Sequence, residues 1–285
     1  MTIATRSNYA IVSGGGYNIR SHLFESTTYT PHLVVNSPSQ LAPDDEFDYI
    51  FVTTKVAPSR KLPLDGYPIS RDRTTIVLVQ NGIGIEEAYA TAYPGVRLLS
   101  GVAYIIASQP APGLIVQEGE SMRLFLGPYP PSLGEAKGGE EIVQRMNAAR
   151  VPTVFHRDIQ PQRWKKLLFN GCYSTVCAAT GLSSMGAWSM PGGKELIMSL
   201  GHEIRRTAAA AAAATAATTT TAAEVPITEQ EVDSFFEELS EKRKLDTVPS
   251  MLQDAQKGIE MEADALCGNI CRIAEQHGVD TPRMR

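Results

Sequence analysis

Apolar and polar positions follow one another differently in the two halves of the chain. In the first half, polar segments separate short apolar runs, which are 48–54 (DYIFVTT), 75–80 (TIVLVQ), 98–107 (LLSGVAYIIA) and 122–127 (MRLFLG). Such alternation favours a parallel sheet with helices packed on it. From residue 160 onward, apolar residues recur at helical spacing and β-branched runs become rare. The pattern predicts an α/β domain over residues 1–157 and an all-helical domain over residues 158–285.

Two segments refine this division. The segment VPTVFHRDIQPQ, 151–162, places prolines between a predicted last strand and a helix that we expect to begin at Arg163. The low-complexity Ala/Thr tract, 207–223, has alanines that favour a helix and threonines that weaken it. We expect the tract to form the solvent-facing middle of a long helix that begins near Gly193.

Composition excludes several classes of partner. The formal net charge of −5 gives no basic field for nucleic acid. No stretch of about 18 apolar residues predicts a membrane span, and the first residues do not resemble a signal peptide. The four cysteines form no CxxC pair, so we predict reduced, buried thiols in a cytoplasmic protein without a metal site.

Three polar residues could line a site on the first helix of the second half. Lys166, Asn170 and Ser174 lie at successive i, i+4 positions and would stack on one side of an α-helix. The alternative interpretation is the exposed face of an amphipathic helix, which is the commoner setting for lysine and asparagine.

A carboxylate interrupts the apolar stripe of the last predicted helix, 257–278. Glu262 lies three residues after Ile259 within this stripe. A buried ionised glutamate needs a cationic or hydrogen-bonding partner, and a lysine from a neighbouring helix would serve. Alternatively, the helix turns slightly and Glu262 reaches solvent.

Two polar residues follow predicted strands of the first half. Lys55 comes after FVTT, and Asn81 comes after TIVLVQ and begins the turn NGIG. Ligands bind outside the carboxyl ends of parallel strands. A glycine turn and a lysine that reaches solvent would explain the same residues without a ligand.

These residues together resemble those of the ketopantoate reductase family, particularly its fungal members. The matching segments, in family order, are TTK at Lys55, LVQNGIG at Asn81, GVAYIIA, WKKLLFNGCYS with Lys166, and SMLQDAQKGIEMEAD with Glu262. The resemblance implies that Lys166 is the general acid that protonates a ketone and that Glu262 holds this lysine and the substrate. It also implies substrate contacts for Asn170 and Ser250, and a cofactor and substrate cleft lined by Lys55 and Asn81.

The departures from the family concern the cofactor. Family members begin with a strand, a GxGxxG turn and a helix, whereas this sequence matches from their second strand onward. We therefore expect a truncated Rossmann-like domain without the pyrophosphate cradle. The glycines 14–16 follow a predicted helix and precede a predicted strand, and so they do not replace the cradle. Arg6 matches an arginine near the 2′-phosphate of NADPH and is interpreted as vestigial. In the substrate pocket, Ser174 and Thr247 stand where the family has asparagines.

Three functional hypotheses follow. In the first, NADPH binding is lost and Lys166 polarises a carbonyl in a cofactor-independent cyclisation or cycloaddition, as in secondary metabolism, on a small carbonyl-bearing metabolite. In the second, the protein is an NADPH-dependent 2-dehydropantoate 2-reductase. In the third, it is a non-catalytic binding or scaffold protein. Family resemblance also implies a homodimer.

Overall fold

The structure, a computed structural model, describes residues 1–57, 62–131, 138–218, 226–241 and 246–285. The chain divides into two compact units. Unit 1 comprises Met1–Val52, Leu62–Val79 and Tyr93–Arg157, and unit 2 comprises Thr53–Lys61, Gln80–Ala92 and Asp158–Arg285. Two segments that follow strands of unit 1 therefore belong to unit 2, a feature that the hydrophobic pattern did not predict.

Unit 1 is built on β-sheet. Its strands are β1 (Thr2–Ala4), β2 (Tyr17–Ser21), β3 (Thr27–Tyr29), β4 (Leu33–Val35), β5 (Tyr49–Val52), β6 (Thr75–Leu78), β7 (Arg97–Ala111), β8 (Leu114–Tyr129) and β9 (Thr153–Phe155). The main sheet, of seven strands, has the order β3-β2-β8-β7-β6-β5 with β9 beside β8, and β1 pairs with β4 in a separate two-stranded sheet.

The predicted parallel pairing is correct for only part of the sheet. Strands β5, β6 and β7 are parallel neighbours. Strands β7 and β8 pair antiparallel, because only two residues, Pro112 and Gly113, connect them and a parallel pair needs a long crossover. All four residues of β6 are buried, which explains why the apolar residues Ile76, Val77 and Leu78 follow one another without polar alternation.

Among the described residues of unit 1, two α-helices flank the strands. These are α1 (Tyr9–Gly15) and α3 (Gly139–Ala148). Ile142 of α3 packs with Val77, Leu99 and Leu126 in the core of this unit. Gly16 ends α1 with a φ of 74°, and β2 begins at the next residue, as the sequence predicted for both elements. The three glycines therefore lie at a helix-to-strand turn.

Unit 2 is helical. Its helices are α2 (Glu86–Ala92), α4 (Gln160–Leu167), α5 (Ser174–Thr180), α6 (Ser184–Ser189), α7 (Gly193–Thr218), α8 (Glu229–Glu241), α9 (Ser250–Gln256) and α10 (Asn269–Gln276). Two π-helical segments interrupt this series: the first π segment is Leu168–Tyr173 and the second π segment is Asp264–Gly268. The core is rich in large side chains, including Tyr173, Ile204 and Phe236.

Two helix predictions need correction. Helix α4 begins at Gln160, before the predicted Arg163, since Pro161 is compatible with the first turn of a helix. Helix α7 begins at Gly193 as predicted, but Thr207 and Ala208 of the Ala/Thr tract are fully buried and do not face solvent. Residues 219–223 of the tract lie outside the described residues.

The remaining composition-based predictions have mixed outcomes. All four cysteines are free; Cys172 and Cys177 are buried, and Cys267 and Cys271 are half-buried. Burial raises the pKa of Cys177 to about 11. Across the described ranges, no helix has both the length and the apolarity needed to cross a bilayer, and no group of three or more potential metal ligands occurs.

Candidate active site

Within unit 2, one asparagine connects the predicted lysine and glutamate. Lys166 Nζ donates to Asn81 Oδ1 at 2.8 Å, and Asn81 Nδ2 donates to Glu262 Oε2 at 3.3 Å. The other carboxylate oxygen of Glu262 accepts from the backbone N–H of Val56 at 3.0 Å. The structure thus brings Lys166, Asn81 and Glu262 into one hydrogen-bonded network.

Asn81 is fixed by a loop that contacts the second π segment. Gly82 has a φ of 104°, and a Cβ at this position would lie 2.6 Å from the carbonyl oxygen of Ala265. Only glycine fits this conformation and this approach. The next residue, Ile83, donates its N–H to the same carbonyl at 3.3 Å, and Asn269 Nδ2 donates to the carbonyl of Ile83 at 2.6 Å.

Lys166 and Glu262 each lie two residues before a π-helical segment. Such segments are rare and are found frequently at functional sites. The first π segment also corrects the predicted stripe of Lys166, Asn170 and Ser174. A π turn is wider than an α turn, so the i, i+4 stacking does not continue across it. Asn170 is half-buried, and Ser174 is buried with 2% exposure.

The prediction that Glu262 is buried is correct, but the predicted reason is wrong. Residues 257–262 are not helical, since Gly258, with a φ of 64°, follows the end of α9. Ile259, placed in the apolar stripe, is 44% exposed. Glu262 is 6% exposed, and its carboxylate accepts hydrogen bonds from Asn81 and from the Val56 backbone.

The environment of Lys166 makes its charged form less favourable than it is in water. Burial, and secondly the nearby Arg163 guanidinium, lower the pKa of Lys166 to about 8, while Glu262 acts in the opposite direction. A lysine with a pKa this close to neutrality can both give up and regain a proton at physiological pH.

Arg163 is a site residue that the sequence reasoning missed. Its Nε lies 2.8 Å from Glu86 Oε1, and both side chains are 1% exposed. Its Nη1 donates to the carbonyl oxygens of Gln80 and Gly82, at 3.0 and 2.9 Å. The only signal in the sequence is its place three residues before Lys166 on a predicted helix.

Asp254 is a second missed residue. Both of its carboxylate oxygens accept from the ammonium of Lys55, and its side chain is 8% exposed against 36% for Lys55. The pair joins the segment after β5 to helix α9. The predicted lysine therefore has a carboxylate partner, which the SMLQD segment supplies.

The other predicted site residues are not among the hydrogen-bonding partners described for Lys166, Asn81 and Glu262. Ser250 is exposed at the start of α9. The backbone N–H of Thr247 donates to Ser184 Oγ at 3.0 Å, so this residue binds the N-terminus of α6. Arg6 is exposed in unit 1, just after β1.

The protein belongs to the class of α/β proteins in which a sheet-based N-terminal unit is followed by a helical unit. The helical unit holds the network of Lys166, Asn81 and Glu262. Residues 1–131 match the family described as Ketopantoate reductase PanE/ApbA, and residues 158–285 match the family described as Ketopantoate reductase PanE/ApbA C terminal. The chain belongs to the ketopantoate reductase family, as its sequence motifs had indicated.

Individual relatives agree with this assignment. An uncharacterized protein of Saccharomyces cerevisiae is 29% identical over 100% of this chain and 83% of its own length. A 2-dehydropantoate 2-reductase of Streptococcus pyogenes serotype M1 is 24% identical over 90% of this chain and 78% of its own length. The crystal structure of 2-dehydropantoate 2-reductase from Methylococcus capsulatus is 26% identical, has a TM-score of 0.83, and is matched over 99% of this chain and 85% of that one.

Proposed function

We propose that the protein is an NADPH-dependent reductase of a small 2-oxo acid, with 2-dehydropantoate as the first candidate substrate. Lys166 is the proton donor to the carbonyl oxygen. The observation that carries this proposal is the network in which Asn81 links Lys166 to Glu262. Membership of the ketopantoate reductase family supports it, and so does the likeness to the 2-dehydropantoate 2-reductase of Streptococcus pyogenes.

The network suits proton donation to a carbonyl. An ammonium has three N–H donors, and Asn81 accepts from one of them. As the carbonyl carbon is reduced, negative charge develops on its oxygen, and a hydrogen bond from Lys166 stabilises that charge. The proton then passes from Nζ to the oxygen, leaving a neutral amine and a 2-hydroxy acid. Glu262 favours the charged lysine beforehand and orients Asn81.

Hydride is what NADPH supplies when it is bound, and the described residues fit this cofactor in part. Arg6 is an exposed cation beyond the carboxyl end of β1, a group suited to the 2′-phosphate. Gly14 and Gly15 end α1, and Gly16 joins this helix to β2. These glycines therefore lack the strand-to-helix setting in which backbone amides hold a pyrophosphate. The assignment of Arg6 to the cofactor is part of the proposal.

The cofactor-independent cyclisation or cycloaddition stays a prediction from the sequence, and none of the described contacts favours it over reduction. Lys166 would polarise a substrate carbonyl in the same way, without reduction. Loss of NADPH binding, cyclase activity, a role in secondary metabolism, a scaffold role and a homodimer all stay predictions. Substrate contacts also stay a prediction for Asn170, Ser174, Thr247, Ser250 and Lys55.

The test is oxidation of NADPH, followed at 340 nm, by the purified protein with 2-dehydropantoate and a series of other 2-oxo acids. We expect turnover by the wild type and its loss in Lys166→Met. Lys165→Met is the matched control, since Lys165 is the neighbouring helical residue and pairs with Glu231 at the surface. NADPH binding is measured in parallel by calorimetry.

Each result has a defined meaning. Absence of both NADPH binding and turnover in the folded protein contradicts the reductase and directs assays to cofactor-free reactions of carbonyl compounds. Equal loss of turnover in both lysine variants contradicts a specific role for Lys166. Binding of NADPH without turnover of 2-dehydropantoate, combined with turnover of another 2-oxo acid, corrects the substrate and retains the reaction.

A further inference from the structure

Arg163 makes contacts on both sides of Asn81. Its Nη1 donates to the carbonyl oxygens of Gln80 and Gly82, the residues before and after Asn81 in the chain. Its Nε pairs with Glu86 at 2.8 Å. Glu86 also accepts from Gln160 Nε2 at 3.0 Å, so the carboxylate itself is held by the start of α4.

Stability alone is a weak explanation for this arrangement. Both ions of the Arg163–Glu86 pair are 1% exposed, and removing two charges from water offsets much of their attraction. What a buried arginine provides is geometry, because its planar guanidinium presents N–H groups in fixed directions. Here those directions hold the carbonyl groups of Gln80 and Gly82, the residues on either side of Asn81.

We propose that Arg163 is a positioning residue, which holds the Gln80–Gly82 backbone so that Asn81 receives a hydrogen bond from Lys166. The inference rests on the proposed function, in which Lys166 donates the proton. Arg163 itself acts through Asn81, at a distance from the substrate carbonyl, and nothing in the resemblance to ketopantoate reductases assigns it this role.

The charge of Arg163 adds a second effect. Arg163 lies three residues before Lys166 on α4, and its guanidinium lowers the pKa of that lysine. The opposing charge is Glu262, from the segment before the second π segment. Asn81 is neutral and contacts both Lys166 and Glu262. Loss of the arginine charge should therefore raise the pKa of Lys166, whereas loss of geometry alone should not.

Two variants separate geometry from charge. Arg163→Lys keeps the positive charge and removes the guanidinium fork. The double variant Arg163→Met/Glu86→Gln removes both charges, so that no single buried ion is left behind. Lys165→Met is again the control for loss of a cation on α4. Thermal unfolding checks the fold of each variant.

Two kinds of measurement are made on each protein. The first is kcat and KM for 2-oxo acid reduction as a function of pH. The second uses NMR on the folded protein without substrate: the side-chain amide resonances of Asn81 report its position, and titration of the labelled Nζ of Lys166 reports its pKa. Resonances are assigned with Asn81→Asp and Lys166→Met.

We expect Arg163→Lys to lower kcat by roughly 10-fold to 100-fold, since a misplacement of about 1 Å at a reacting group can cost about 100-fold. Its Asn81 amide resonances should shift, while Lys166 still titrates near 8. In the double variant, kcat should fall by a similar factor, and Lys166 should titrate at higher pH. Asn81 resonances and kcat that match the wild type in both variants would overturn the inference.

Failure of the proposed function gives a different result. If the wild type reduces no 2-oxo acid, the reductase is contradicted, and the Asn81 and Lys166 resonances alone then decide the role of Arg163. Shifted Asn81 resonances in Arg163→Lys support positioning, and unshifted ones overturn it.

Discussion

The depressed pKa of Lys166 predicts an unusual pH profile for the reaction. Proton donation requires the ammonium form, and the pKa of Lys166 is lowered from 10.5 to about 8. About 90% of such groups are protonated at pH 7 and about 10% at pH 9, whereas a lysine with an ordinary pKa stays almost fully protonated at both. We therefore expect kcat to fall about tenfold between pH 7 and pH 9.

The variant Glu262→Gln tests the direction in which Glu262 changes the pKa of Lys166. Glu262 raises the pKa of Lys166, so removal of its charge should lower that pKa and move the fall in kcat to a pH below about 8. Glu260→Gln is the matched control, because Glu260 is exposed two residues away. The assay is the initial rate of NADPH oxidation at saturating 2-oxo acid in buffers of constant ionic strength.

Two results would refute this reasoning. A rate that stays constant up to pH 10 would mean that Lys166 has an ordinary pKa or donates no proton in the rate-limiting step. A fall that moves to higher pH in Glu262→Gln would mean that the glutamate does not stabilise the charged lysine. An equal change in Glu260→Gln would indicate a general effect of surface charge.

The remaining predictions concern stability. The pKa of Lys166 is lower in the folded protein, so the unfolded state binds more protons between pH about 8 and 10.5. The free energy of unfolding should therefore rise across that window by up to about 3 kcal/mol. Urea titrations of Lys166→Met should lack this rise. Gly82→Ala should destabilise the protein by about 2 kcal/mol or more, since its φ and the Ala265 carbonyl leave no room for a Cβ, and an unchanged urea midpoint would contradict this. Glu203 is fully buried and accepts backbone N–H groups of residues 283–284 at 3.2 and 3.0 Å. Glu203→Gln should therefore cost about 1 to 3 kcal/mol and speed amide exchange at those two residues, and unaltered exchange would show that the carboxylate does not hold them.

The sequence determined the family and the general architecture. The change from short apolar runs to helical spacing separated a sheet-based first part from a helical second part, because strand and helix have different side-chain periods. The motifs around Lys55, Asn81, Lys166 and Glu262 indicated the ketopantoate reductase family, which the family matches confirmed. Local signals also located α1 and β2.

Only the tertiary structure decided how the site is assembled. Asn81 links Lys166 to Glu262 across 85 and 181 residues of sequence, a relation that no local pattern contains. The π segments changed which side chains share a face, since a single added residue in a turn is invisible to a 3.6-residue period. Arg163 looked like an ordinary charged helical residue, and its role depends on two peptide carbonyls that folding brings to it. The periodicity of apolar residues indicates which side chains are buried. A buried polar contact depends instead on which residues, distant in sequence, the fold brings together.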